Sequence, residues 1–165
     1  MKHIAITGLV TCLLLGCGKP HGHNHNGHGH EHDGHEHDDK GHKHEAIYGG
    51  ELVEFGEDAC YLEFLMDESN ATRMTVLAYE FHPPGSVKIP MTQIEVVAKI
   101  GDEEKQLVFL PVIDATLGNN ATHSSKYEVA ADWLKDMATF EGRIVQLDFP
   151  GGISHNKTFQ FTKNK

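Results

Sequence analysis

Residues 51–81 read ELVEFGEDACYLEFLMDESNATRMTVLAYEF. Three runs in this stretch mix apolar and polar side chains: Glu51-Leu52-Val53-Glu54-Phe55, Tyr61-Leu62-Glu63-Phe64-Leu65-Met66 and Arg73-Met74-Thr75-Val76-Leu77-Ala78-Tyr79. Turn formers separate them, Gly56-Glu57-Asp58 first and Asp67-Glu68-Ser69-Asn70 second. Successive side chains of a strand point to opposite faces, so alternation of this kind marks a strand with one face buried. Short runs at this spacing, divided by turn residues, predict an all-β sandwich.

The pattern continues downstream. Pro83-Pro84-Gly85 forces a break, and Val87-Lys88-Ile89 reads as a short edge strand ahead of Pro90. From Thr92 to Ile100, Ile94, Val96 and Ala98 share one face while Glu95, Val97 and Lys99 share the other. Gly101-Asp102-Glu103-Glu104 reads as a hairpin loop leading to Gln106–Leu110, and Tyr127-Glu128-Val129 is a brief strand. Ala130, Leu134, Met137 and Ala138 have helical spacing, with Gly142 as the stop. Arg143–Phe149 and Thr158–Thr162 complete the set. The expectation for residues 46–165 is therefore an antiparallel, immunoglobulin-like β-sandwich of eight or nine strands with one short helix.

Upstream the character changes. Residues 18–45 read GKPHGHNHNGHGHEHDGHEHDDKGHKHE and contain no aliphatic or aromatic core former. Such a segment cannot bury enough apolar surface to offset its ordering entropy, which predicts a disordered tether over residues 17–45. Ten of the chain's 14 histidines fall here. His21, His23 and His25 alternate with Gly and Asn; His28, His30 and His32 repeat the step, as do His35 with His37 and His42 with His44. Neutral imidazole is the commonest protein ligand of zinc, nickel and copper. Two imidazoles two residues apart converge on one ion when the residue between is flexible, and Gly22, Gly29 and neighbouring glycines supply that freedom. At three to four ligands per ion, ten rings hold roughly two or three ions. Zinc is the first expectation, with nickel, copper or cobalt as alternatives, since a flexible tract imposes little geometry. Fixing residues around an ion costs about 1–2 kcal/mol each, which favours capture and hand-over above permanent binding. Binding needs uncharged rings, so affinity falls below about pH 6.5.

The first sixteen residues read as an export signal. Met1-Lys2-His3 is a short basic start, and Ile4–Leu15 is an apolar run well below the roughly 20 residues needed to span a bilayer. It ends in Leu14-Leu15-Gly16-Cys17, which resembles the lipobox of bacterial lipoproteins. The resemblance implies cleavage before Cys17, its lipidation, and anchorage of the mature chain to a membrane. Gly18 after the lipidated residue implies the outer membrane of the cell envelope, facing the periplasm. Two acyl chains on one residue give firm attachment where a single chain binds only marginally. The histidine run resembles the His-rich loops of bacterial zinc-uptake binding proteins, zinc transporters and nickel chaperones. Gly49-Gly50-Glu51-Leu52-Val53-Glu54-Phe55-Gly56 followed by Tyr61-Leu62-Glu63-Phe64 resembles small exported bacterial β-domains, some of which accompany heavy-metal efflux systems. Here Tyr48 stands where that pattern has a histidine before the paired glycines.

The remaining residues narrow the function. The chain has 165 residues and a formal charge of −10, which suits one domain plus appendages and argues against a nucleic-acid partner. With Cys12 discarded and Cys17 lipidated, Cys60 has no disulfide partner and reads as a small buried hydrophobe, with a thiolate ligand as the alternative. His82, His123 and His155 fall in expected loops; two of them brought together near Asp114 or Met91 would make a defined metal site. Asp132 and Asp136 read as a solvated helix face, Trp133 as a packing residue, and three Asn-x-Thr sequons as incidental in a bacterial lipoprotein. No nucleophile elbow, phosphate-cradling loop or HExxH is present, so no enzyme is expected. Two functions remain. One is a transition-metal buffer, scavenger or accessory to a metal transporter or efflux component. The other is a structural or interaction module whose tract is a spacer or a pH-responsive element.

Overall fold

The computed structural model describes residues 44–163. The export signal, Cys17 and the histidines from His21 to His42 lie outside the described residues; His44 lies within them. Nine strands are present among the described residues: β1 (Glu51–Phe55), β2 (Cys60–Asp67), β3 (Asn70–Phe81), β4 (Pro84–Ser86), β5 (Ile94–Ile100), β6 (Glu103–Pro111), β7 (Lys126–Ala130), β8 (Thr139–Phe149) and β9 (Gly152–Thr162). A single 3-10 turn, Asp132–Asp136, is the only helix described. Every strand pairing is antiparallel. The described residues are thus all-β with one short helix, as the alternation implies.

The two layers expected of a sandwich are two blocks of one continuous path. Hydrogen bonding runs β1-β2-β3-β7-β6-β5-β8-β9, with β4 on the side of β3. The blocks join where β6 meets β7 through two register pairs, Leu110 with Glu128 and Pro111 with Tyr127. The path curls until β9 lies against β1, so the sheet nearly closes into a barrel. The interior is filled by the inward residues of both blocks, among them Phe64, Val76, Ile94, Val96, Phe109 and Leu147. In β5 the burial follows the expected faces, with Ile94, Val96 and Ala98 fully buried.

Four local expectations are corrected. The strand after the prolines is Pro84–Ser86, not Val87–Ile89. The His82–Pro83 turn folds the chain straight back on Tyr79–Phe81, and Ile89 then makes a lone bridge to Ser124. The helical spacing over Ala130–Phe140 comes from a five-residue turn between two strand ends, in which Leu134 alone is buried. Gly142 stops no helix: it lies inside β8, where a Cβ would meet the Phe159 ring at 2.4 Å, closer than atoms pack. His155 sits in β9, paired with Gln146, because that strand begins at Gly152 rather than Thr158.

Cys60 is fully buried and unpaired. Burial, with a smaller contribution from the Glu80 carboxylate, pushes its thiol pKa up to about 12. Only the thiolate reacts, so native protein at pH 8 should alkylate about a thousand-fold more slowly than unfolded chain. A thiol-trapping time course with and without denaturant measures this; rapid stoichiometric labelling of the native form would show that the site opens.

Candidate functional site

β2 breaks the rule of one buried face. Cys60, Tyr61, Leu62, Glu63 and Phe64 are all buried. Cys60, Leu62 and Phe64 belong to the core, whereas Tyr61 and Glu63 point to the other side of the strand. The register sets Tyr61 opposite Tyr79, and Phe81 follows two residues later on the same face. Residues 44–50, entering the domain, cover this outer face.

Glu63 fastens that cover. Its Oε1 accepts the N–H of Tyr48 at 2.9 Å and of Gly50 at 2.7 Å. Its Oε2 accepts the Ile47 N–H at 3.1 Å and the Tyr79 hydroxyl at 2.7 Å. A fully buried carboxylate needs this many donors, because it has exchanged water for protein on all sides. Gly50 has no room for a side chain: a Cβ there would lie 2.4 Å from the Phe64 carbonyl oxygen.

The fastening places His44. Its ring stacks on Phe81, with centroids 4.1 Å apart and planes 9° from parallel, and meets the Tyr61 ring edge-on at 5.4 Å. The side chain is 14% exposed, and Nε2 is 3.7 Å from Asp58 Oδ1, too far for a hydrogen bond. His44 Nε2 is the one buried side-chain nitrogen or oxygen without a hydrogen-bond partner among the described residues. Asp58 sits in the β1–β2 turn with φ of 73°, following Glu57 at 50°, both in the left-handed region. Its Oδ1 accepts the Tyr61 hydroxyl. Burial, that hydrogen bond, and the charges of Glu54 and Asp58 all raise the Tyr61 pKa, so the hydroxyl keeps its proton and remains a donor. The exposed ring of His82, in the β3–β4 turn, lies 5.1 Å from that of His44. Beside His44 runs an open groove of about 570 Å³ with Glu45, Glu51 and Glu54 in its walls.

The other sequence candidates do not meet. His123 is exposed, with Nδ1 3.1 Å from Thr122 Oγ1, and its N–H donates to Asn120 Oδ1. Asp114 is occupied with the N–H and hydroxyl of Thr116, which hold its carboxyl below the ordinary range. Met91 Sδ accepts the Asp148 N–H at 3.2 Å. A second groove, of about 590 Å³, runs beside Met91, but Gln93 already pairs with Glu95 and Gln146 with Asp148. Among the described residues no group of three or more His, Cys, Asp or Glu side chains is placed, as it stands, to hold a metal ion, and no helix is long and apolar enough to cross a membrane. The Glu63 fastening and the meeting of His44 with His82 had no signal in the sequence beyond the buried-type residues flanking Glu63. Comparison with family models, with curated proteins and with solved structures yields no match.

Proposed function

We propose that this chain is a bacterial envelope lipoprotein that binds transition-metal ions through its histidine tract, as a buffer, a scavenger or an accessory to a metal transporter or efflux component. The observation that carries the reading is the density of H-x-H steps: ten imidazoles between His21 and His44, immediately after Leu14-Leu15-Gly16-Cys17. Cys17 would carry the lipid that holds the protein to the membrane. His21, His23, His25, His28, His30, His32, His35, His37, His42 and His44 would supply the ligands. Zinc is the ion this donor set favours, with nickel, copper or cobalt as alternatives. The acidic balance supports a partner other than nucleic acid.

Isothermal titration of the full chain with zinc, nickel and copper near neutral pH tests the tract. Replacing the nine histidines from His21 to His42 by asparagine should lower the stoichiometry from roughly two or three ions to at most one. Equal stoichiometry in both proteins would place the binding in the folded domain instead.

One observation favours the rival reading, an interaction module. Ile47, Tyr48 and Leu117 are 53%, 63% and 61% exposed and border a largely apolar groove of about 380 Å³ along Leu77–Glu80. Exposed apolar side chains gathered in this way suit a protein contact. If titration finds no metal bound to either protein, this second reading replaces the first.

A further inference from the structure

We propose that the folded domain carries its own transition-metal site where the chain enters it, formed by His44, Asp58 and His82. This goes beyond the tract: Asp58 and His82 belong to turns of the domain, and the site needs none of the histidines from His21 to His42.

The argument begins with the unpaired nitrogen. A buried ring nitrogen without a partner is costly, so a group of this kind marks a place where a ligand belongs. The Asp58 carboxylate faces it, with Oδ1 3.7 Å away. That separation is too wide for a hydrogen bond and close to the spacing of two donors on one ion. With metal–nitrogen and metal–oxygen bonds near 2 Å, neighbouring ligands of a tetrahedral ion lie about 3.3 Å apart. A shift of a few tenths of an ångström closes the difference. The rings give a second measure. Two imidazoles on one tetrahedral ion have centroids about 5 Å apart, and those of His44 and His82 are 5.1 Å apart.

The three ligands differ in freedom in a useful way. His44 is held by Phe81 and Tyr61. Asp58 is held by the Tyr61 hydroxyl, the kind of supporting hydrogen bond that orients a ligating carboxylate. His82 is exposed, and its ring must turn toward His44 Nε2 and Asp58 Oδ1 to complete the set, since the three are not placed to hold an ion as they stand. Glu45, Glu51 and Glu54 in the adjoining groove make the approach favourable to a cation. Two nitrogens and a carboxylate oxygen, with a fourth position open to water, suit zinc, cobalt(II) or nickel(II). The absence of thiolate makes copper(I) a poor fit, and oxygen-demanding calcium is excluded by the two imidazoles.

The test uses the full chain with His21–His42 replaced by asparagine, titrated with cobalt(II) and followed by visible absorption and calorimetry. One equivalent should bind. Asp58→Asn and His82→Ala each remove a ligand and should weaken binding by more than the roughly 10–100-fold that loss of a supporting group costs, with thermal midpoints in chelator little changed, since His82 is exposed and the new amide oxygen at position 58 can still accept the Tyr61 hydroxyl. Long-range proton–nitrogen spectra should show the His44 and His82 rings shifting together on the first equivalent of zinc. No binding to the tract-substituted chain would overturn the proposal, as would binding that neither variant alters. The tract reading fails separately: a wild-type chain that takes up only one equivalent, lost in His82→Ala, leaves this site standing and removes the tract.

Discussion

Glu63→Ala is expected to destabilise the domain by about 3–5 kcal/mol, because four donors lose their acceptor at once and each buried orphan costs about 1–3 kcal/mol before relaxation and water entry reduce the total. The donors are the N–H groups of Ile47, Tyr48 and Gly50 and the hydroxyl of Tyr79. For a domain of this size the thermal midpoint should fall by about 10–20 °C. Glu63→Gln separates the effect of shape from that of the missing acceptor. Its remaining oxygen still serves Tyr48 and Gly50, and the Tyr79 hydroxyl can turn to accept from the new amide. Only the Ile47 N–H then faces another donor, keeping its longer 3.5 Å bond to the Tyr79 hydroxyl oxygen, so the cost should be about 1–2 kcal/mol. Urea unfolding measures both. A Glu63→Ala protein within 1 kcal/mol of the parent would mean that Glu63 does not secure the segment that enters the domain.

The same substitution reaches the candidate site. Ile47 is three residues beyond His44, so releasing residues 47–50 releases the ring that Phe81 and Tyr61 hold. Exchange protection of the Tyr48 and Gly50 amides should vanish in Glu63→Ala while that of core β5 persists, since local opening need not involve the whole sheet. Packing on β2 and the placement of a metal ligand are therefore one structural problem. The buried acid that breaks the expected alternation of β2 is the residue that solves it.

How much of this was legible in the sequence follows from the range of the forces involved. Strands with one buried face announce themselves, and β1, β2, β3, β5 and β6 lie where alternation puts them, within a few residues at their ends. Features set by distant partners do not. Gly142 read as a helix stop because nothing local reveals that Phe159 lies across it from the next strand. The Ala46-Ile47-Tyr48 segment has no periodicity, and its position depends on a carboxylate sixteen residues from Ile47. The imidazoles were evident as composition, yet composition fixes no coordination geometry. That His44 meets His82 depends on the Tyr61–Tyr79 register, which carries Phe81 and the turn after it to the place where His44 enters.

Phe64→Ala should cost about 3–5 kcal/mol, the usual range for deleting a buried aromatic ring, and it should do so through the seam of the barrel. The hydrogen-bonded path ends at β1 on one side and β9 on the other, so side chains must hold these two ends together. Phe64 on β2 stacks on Phe159 of β9, with centroids 4.3 Å apart and planes 23° from parallel, and presents its ring edge-to-face to Phe109 at 5.8 Å. Phe159 in turn lies over Gly142, and Phe140 stacks on Phe161 beside it at 4.9 Å. Phe64→Leu keeps most of the volume and should cost less than about 1.5 kcal/mol. A double-mutant cycle with Phe159→Ala isolates the stack itself: the pair should be coupled by about 0.5–1.5 kcal/mol beyond the sum of single effects. The amides of β9 should lose exchange protection before those of β5 in Phe64→Ala, because β9 is the terminal strand of the path and depends on this contact for its second side. Additive energies, or uniform loss of protection across all strands, would mean that closure is carried by the β5–β8 centre and that the seam is incidental to stability.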